Sequence, residues 1–493
     1  MYRLIKSNFL DKRAHATLMY IIAAIYPFVV NIFLIPIYFA LFDNPEKEYA
    51  IISIVTITQS YLIISIMMGL DMSFVKHFLD AHKSETESNQ IKQSFLSILI
   101  LSMAINYILY HLLSKWFFEF FWGNVIDFAQ YQWLIFFSAL FIVVNQSAFQ
   151  YFRVQEQPFK ALLAVIIPFT LFGLGGVLFM TIFNASAYYC IMGRTILLGA
   201  SSIPLLFILL SKTGITFRFN KKLFVYALIT FLGVFIELVS SSIDKITVTK
   251  TFQLELETFG VYSLAFVYVT SVGFLITGFI NAQTPSLYKA FSTPESETTK
   301  EMALKFTNRL IVLSFGINAL IFLFADVISL ILDPLNRLVF IKFVILLIPI
   351  NLIRLLTSQY NISIYYYSKT IWFSISTVAY IGTFLLLNYL LSNIISIIYL
   401  PGIIILSTIP MALIMRFIYF KYASYYIEER KALSMAVAFI IILLIKFQFG
   451  IIIDNVLLSV FINALLILAL STYVYLLLKN NRHLIFQNLK NVQ

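Results

Sequence analysis

Apolar runs roughly twenty residues long, parted by short polar connectors, recur from one end of this chain to the other. A helix rises about 1.5 Å per residue, so about 20 apolar residues carry it across a hydrocarbon layer about 30 Å thick. The runs fall at 17–42, 49–70, 94–116, 132–152, 161–183, 188–210, 223–243, 259–282, 309–332, 341–365, 371–391, 396–419, 433–450 and 456–478, which predicts fourteen membrane-spanning helices. The first run exceeds the apolar core of a secretory signal and lacks a small-residue cleavage site, so it reads as the first span.

Composition turns this pattern into a class. At 61% hydrophobic and 12% charged residues over 493 positions, with a mean hydropathy of +0.91, the chain lies far outside the range of soluble domains. The expected fold class is an all-α polytopic membrane protein. The net charge of +11 does not point to nucleic acid, because the basic residues sit in short clusters between apolar runs. Of the 34 Lys and Arg residues, 25 fall in one alternating set of loops and tails and 7 in the other, with Arg194 and Arg354 inside spans. Cytoplasmic loops hold such an excess. The asymmetry predicts an even number of helices with both termini in the cytoplasm.

Several chemistries drop out at this point. The single cysteine, Cys190, allows no disulfide within the chain and reads as packing. No connector on the outer side exceeds roughly twenty residues, and none carries His, Cys or carboxylates at metal-ligand spacing. There is no phosphate-binding glycine loop and no nucleophile elbow. Gly173, Gly175 and Gly176 lie inside a span, where small residues mean close helix packing. Neither a metal site nor a nucleotide site is expected, and the chain is not expected to be an enzyme.

The second run, EYAIISIVTITQSYLIISIMMGLDMSFVKHF, and the eighth, TFGVYSLAFVYVTSVGFLITGFINAQTPSLYKAF, share a layout about 210 residues apart. Each opens on an aromatic beside a small residue, Tyr49-Ala50 or Phe259-Gly260, and closes on a glycine-bearing turn followed by an aromatic and a lysine. Transporter folds are often built from two related lobes with the substrate between them. The layout predicts a first lobe at 1–212, a second at 213–420, and a terminal helix pair with its tail at 421–493. The succession SSSIDKITVTK, FGVYSLAF and FINAQTPSLYKAF, with IFLIPIYFALFDNPEKEYAIISI and GLDMSFVKHF in the first lobe, resembles the Wzx-type O-antigen and polysaccharide flippases of the multidrug/oligosaccharidyl-lipid/polysaccharide (MOP) exporter superfamily. The usual Asp-Arg of that pattern is Asp244-Lys245 here, and the proline relatives often carry near the start of the seventh span is missing.

The resemblance implies a flippase that moves an undecaprenyl-diphosphate-linked oligosaccharide by alternating access. Its partners would be that glycan, membrane lipids, and a polysaccharide polymerase with its chain-length regulator. No cofactor is implied, and coupling to a proton or sodium gradient stays open. A lipid II flippase or a multidrug or cation antiporter of the same fold is the alternative. A membrane polymerase or glycosyltransferase fits less well, since those display a long outer loop.

Ionisable groups in a bilayer cost about 2.5–3.5 kcal/mol on insertion scales and usually face a cavity or a partner. Glu237, Ser241 and Asp244, at i, i+4 and i+7, share one face of the seventh span. Asn351, Arg354, Ser358 and Asn361 do the same in the tenth. Two readings stand side by side. Glu237 pairs with Arg354 or Arg194 as a structural bridge; or the stripes line a cavity in which Arg194, Arg354, Asn351, Ser358 and Asn361 hold an anionic head group and Glu237 answers to cation coupling. Asp244 and Lys245 read as a solvated pair at the interface or cavity edge. Pro27 and Pro36, flanking Asn31 in the first span, are hinge candidates because a proline frees a carbonyl and bends its helix.

The loop charges yield a direct test of orientation. A reporter active only in the periplasm, fused after Lys212 or Lys300, is expected to be silent, and one fused after Lys250 to be active. The opposite pattern inverts the topology.

Overall fold

The structure is a computed structural model that describes residues 19–20, 22–23, 25–27, 29–31, 33–80, 84–213, 217–251, 256–270, 297–366, 370–391, 394, 397–422, 429–450 and 456–478. Among these every regular element is helical. In chain order they are α1 (Ile25–Leu41), α2 (Pro45–Met67), α3 (Leu70–Asp80), α4 (Glu85–Trp122), α5 (Phe128–Val154), α6 (Pro158–Ile182), α7 (Ala187–Thr213), α8 (Lys221–Thr251) and α9 (Leu256–Thr270). After residues outside the description come α10 (Glu297–Ile328), α11 (Pro334–Tyr366), α12 (Thr370–Leu391), α13 (Leu400–Tyr422), α14 (Glu429–Ile445), which runs into a π-turn at Lys446–Gly450, and α15 (Val456–Leu478). Twelve segments are long and apolar enough to cross a membrane, and two shorter apolar helices, Ile25–Leu41 and Leu256–Thr270, fall on the expected first and eighth spans. Each of the fourteen expected spans is thus met by a helix.

Helix starts follow capping chemistry. Asn44 caps α2 by accepting from the Lys47 amide at 3.2 Å, with Pro45 at a first-turn position that needs no donor and Glu46 and Glu48 near the positive helix end. Asp127 does the same for α5, accepting from the Ala129 amide at 3.1 Å.

The chain forms two compact units, Met1–Gly260 and Val261–Gln493. This differs from the expected division at two points. The eighth helix, α8, which the repeat assigns to the second lobe, packs within the first unit against α2, α3 and α4. The cause is the corner between α2 and α3. Met68 and Gly69 both take left-handed backbone angles, φ 48° and 70°, in the middle of one apolar span. A side-chain carbon on Gly69 would come within 2.7 Å of the Ala227 carbonyl oxygen, so glycine lets the α8 backbone seat on the corner. Below it, the Ser73 hydroxyl donates to the Leu223 carbonyl at 2.7 Å, and the Lys76 ammonium lies 4.1 Å from the centre of the Tyr226 ring. Leu223 and Ala227 also join the apolar core built by Met67, Leu70, Phe74, Phe95 and Ile98. The second difference is at the C-terminal end. The α14–α15 pair packs inside the second unit, α15 on α10 and α14 on α11, instead of standing apart from 421 onward.

The glycines of the fifth span behave as read from the sequence. Gly175 of α6 and Gly193 of α7 approach backbone to backbone, and a side-chain carbon on either would overlap the carbonyl of the other. Gly173 lies against the side chains of Leu34 and Val30 of α1, where an added side-chain carbon would come within 2.7 Å and 3.2 Å of their methyl carbons. Gly193→Leu is expected to force α6 and α7 apart and destabilise the first unit by about 1–3 kcal/mol or more, read as a lower melting temperature in detergent; unchanged melting contradicts the close approach.

Candidate functional site

Arg194, on α7, is a buried cation of the first unit, 7% exposed. Its Nε donates to the Tyr38 hydroxyl at 3.2 Å. The Tyr38 and Phe172 rings lie against the guanidinium, their centres 4.6 Å and 4.9 Å from Cζ. The Tyr38 hydroxyl in turn donates to the Gly173 carbonyl at 3.4 Å, which ties the clamp to α6. Gly176 makes room for it: a side-chain carbon there would fall 2.7 Å from the Tyr38 oxygen and 3.2 Å from Arg194 Cγ. Among the described residues no carboxylate comes within ion-pair distance of Arg194. A pair between Arg194 and Glu237, one of the two structural bridges read from the sequence, is therefore not formed.

The stripe on the seventh span divides. Glu237 and Ser241 are exposed, while Asp244 and Lys245 are buried at 2% and 7%. The expectation that Asp244 and Lys245 form a solvated pair is corrected. They lie 3.8 Å apart, and the ammonium also donates to the Ser241 carbonyl at 3.2 Å. The reason is the docking of α8 on α2, where Tyr61 and Ser242 share a hydrogen bond of 2.5 Å and cover that face.

On α11 the second stripe divides as well. Arg354 is exposed, whereas Asn351 is buried inside the second unit, its amide donating to the Val269 carbonyl at 2.8 Å and to Asn318 Oδ1 at 3.3 Å. Asn351 thus serves the core of its unit. The side chains of Ser358 and Asn361 lie outside the described residues. In α1, Asn31 and Pro36 are exposed and Pro27 half-buried, with helix continuing past both prolines. Among the described residues the backbone turns left-handed inside the second span, at Met68–Gly69.

One cluster escaped the sequence reading. In the second unit Asp326 of α10 is 4% exposed and is met by Lys446 at 3.4 Å, Ser459 at 3.0 Å and the Asn463 amide at 2.6 Å. Lys446 also donates to Ser459. The signal in the sequence is a carboxylate inside the ninth span, 309–332, and a lysine, Lys446, inside the thirteenth, 433–450.

No protein-family model and no curated protein matches the sequence. Solved structures do. The fold is similar to that of the lipid II flippase MurJ in an inward closed conformation, with a TM-score of 0.61 and 14% identity over 92% of this chain and 98% of that one. It is also similar to a multidrug resistance MATE family transporter of the MOP superfamily, both inward-facing (TM-score 0.65, 14% identity, 84% of this chain and 95% of that one) and outward-facing (0.60, 15%, 82% and 94%). At these identities the likeness establishes the fold, which is that of MOP-superfamily transporters and flippases.

The magnitudes around Arg194 make a prediction about stability. Withdrawing an ion from water costs several kcal/mol after relaxation, and a desolvated aromatic contact returns about 2 kcal/mol. Arg194→Met keeps an unbranched apolar stem and removes the charge. Its melting temperature is expected to equal or exceed that of the parent protein; a fall of many degrees assigns Arg194 to the folding core.

Proposed function

We propose that this protein is a flippase that turns an undecaprenyl-diphosphate-linked oligosaccharide, the repeat unit of an O-antigen or other surface polysaccharide, from the cytoplasmic to the periplasmic leaflet of a bacterial inner membrane. The observation that carries this reading is the likeness of the fold to a lipid II flippase over 92% of this chain and 98% of that one. Arg194 adds to it, because a guanidinium pairs with phosphate oxygens through two parallel hydrogen bonds. Transport proceeds by alternating access with no covalent step. Glu237 remains the residue through which a proton or sodium gradient acts. Both termini lie in the cytoplasm, and a polymerase with its chain-length regulator takes up the product.

Deleting the gene in its host tests the cargo. The expected result is loss of surface polysaccharide, accumulation of undecaprenyl-diphosphate-linked repeat units on the inner leaflet, and continued growth. Growth arrest with lysis instead assigns lipid II as cargo. Unchanged glycans with heightened sensitivity to cationic dyes assign drug export. In the complemented strain, stable Arg194→Met protein is expected to leave export abolished.

A further inference from the structure

The clamp around Arg194 has an asymmetry that bears on ligand recognition. A guanidinium has five N–H donors in a rigid fork. Here Nε is spent on Tyr38, and neither Nη nitrogen meets a protein acceptor among the described residues. One edge of the fork is anchored, then, and the other spends no hydrogen bond on the described residues.

We propose that Tyr38 is the positioning residue of Arg194: together with Phe172 it fixes the plane and the rotation of the guanidinium, so that the paired Nη edge stands ready for two oxygens of a diphosphate. This rests on the function proposed above for the choice of anion, and on the geometry of the first unit for the positioning itself. Three features carry it. The Tyr38 hydroxyl is itself held, donating to the Gly173 carbonyl, so it cannot swing with the side chain it orients. The rings stabilise the cation through their faces and leave the N–H groups of the Nη edge unspent. Gly176 is the space that lets Tyr38 and Arg194 lie side by side. A carboxylate in the place of Tyr38 would stabilise the charge better and compete with the phosphate; a phenol orients without competing. An arginine set in advance loses less side-chain freedom on binding, which raises affinity without any new contact.

Two measurements on the full-length protein in detergent test this separately from the cargo. The first needs no ligand. With nitrogen-labelled arginine, the Arg194 Nε–H is expected to give a resolved NMR signal protected from exchange with water, assigned by its absence in Arg194→Met and lost in Tyr38→Phe while the melting temperature stays unchanged. An Nε–H that exchanges in the parent protein as fast as in an exposed arginine overturns the positioning. The second measures binding of undecaprenyl diphosphate. Tyr38→Phe is expected to weaken it about tenfold, Arg194→Met to abolish the specific component, and Tyr38→Phe to have no further effect when added to Arg194→Met, since a residue that acts through another is silent once that one is gone. Equal weakening by Tyr38→Phe in both backgrounds, or none in either, overturns the proposal. Should Nε–H be protected as expected while the parent protein fails to bind undecaprenyl diphosphate, the cargo reading falls and the positioning stands.

Discussion

Hydrocarbon offers no partner to a hydrogen-bonding group, so each polar atom of this chain that lies within the membrane must be answered by the protein itself. Much of the architecture follows from that constraint. Hydroxyls inside the helices mostly turn back to the carbonyl one turn earlier, as Thr58, Thr195, Ser202 and Ser407 do. Where the backbone departs from a helix, side chains on a neighbour take over. At the α2–α3 corner Ser102 donates to the Ile66 carbonyl at 2.7 Å and Asn106 to the Ser65 carbonyl at 3.3 Å, so α4 caps the broken end of α2. The two left-handed residues, each costing of order 1 kcal/mol for a non-glycine, are tolerable because that capping and the seat of α8 fix them.

Charges meet the same constraint in two ways. Around Asp326 the cluster is closed: both carboxylate oxygens have donors, Lys446 is opposite, and the residues belong to α10, the π-turn after α14, and α15. Removing one partner from such a cluster leaves a charge uncompensated, a loss of about 3–5 kcal/mol. The cluster therefore fastens the terminal helix pair to its unit, and it explains why α14 and α15 do not stand apart. Arg194 is the opposite case. Its positive charge has aromatic faces and one phenol around it, and no acid among the described residues.

How much of this the sequence carries depends on the range of the information. The helices are legible because twenty apolar residues mean the same thing wherever they occur, and all fourteen runs carry a helix. The glycines of the fifth span are legible for a similar reason, since only close approach keeps three of them in one apolar run. The placement of α8 is not legible. It depends on Gly69 facing Ala227, two residues more than 150 positions apart, and no periodicity within either helix encodes that match. Helical spacing put Glu237, Ser241 and Asp244 on one face, yet that face changes surroundings along its length, exposed at Glu237 and covered where Tyr61 meets Ser242. The same holds for Asn351, whose partners come from α9 and α10. Intramembrane polarity could be read from the chain; which polar residue is closed within a unit and which is open could not.

That distinction bears on the role proposed for Arg194. A cation held ready in a low-dielectric lobe needs stabilisation, and the strongest source, a carboxylate, would also neutralise the site. Aromatic faces resolve the conflict because their attraction for a cation comes from the ring quadrupole and uses no hydrogen-bond acceptor. Tyr38 and Phe172 return part of the desolvation cost of Arg194 and leave its Nη edge unspent. In the role proposed for Arg194, an arriving anion returns the remainder of that cost. Interaction energy withheld from the fold in this way is available for binding, and in an alternating-access carrier it can bias the loaded protein toward the state in which the anion is best enclosed.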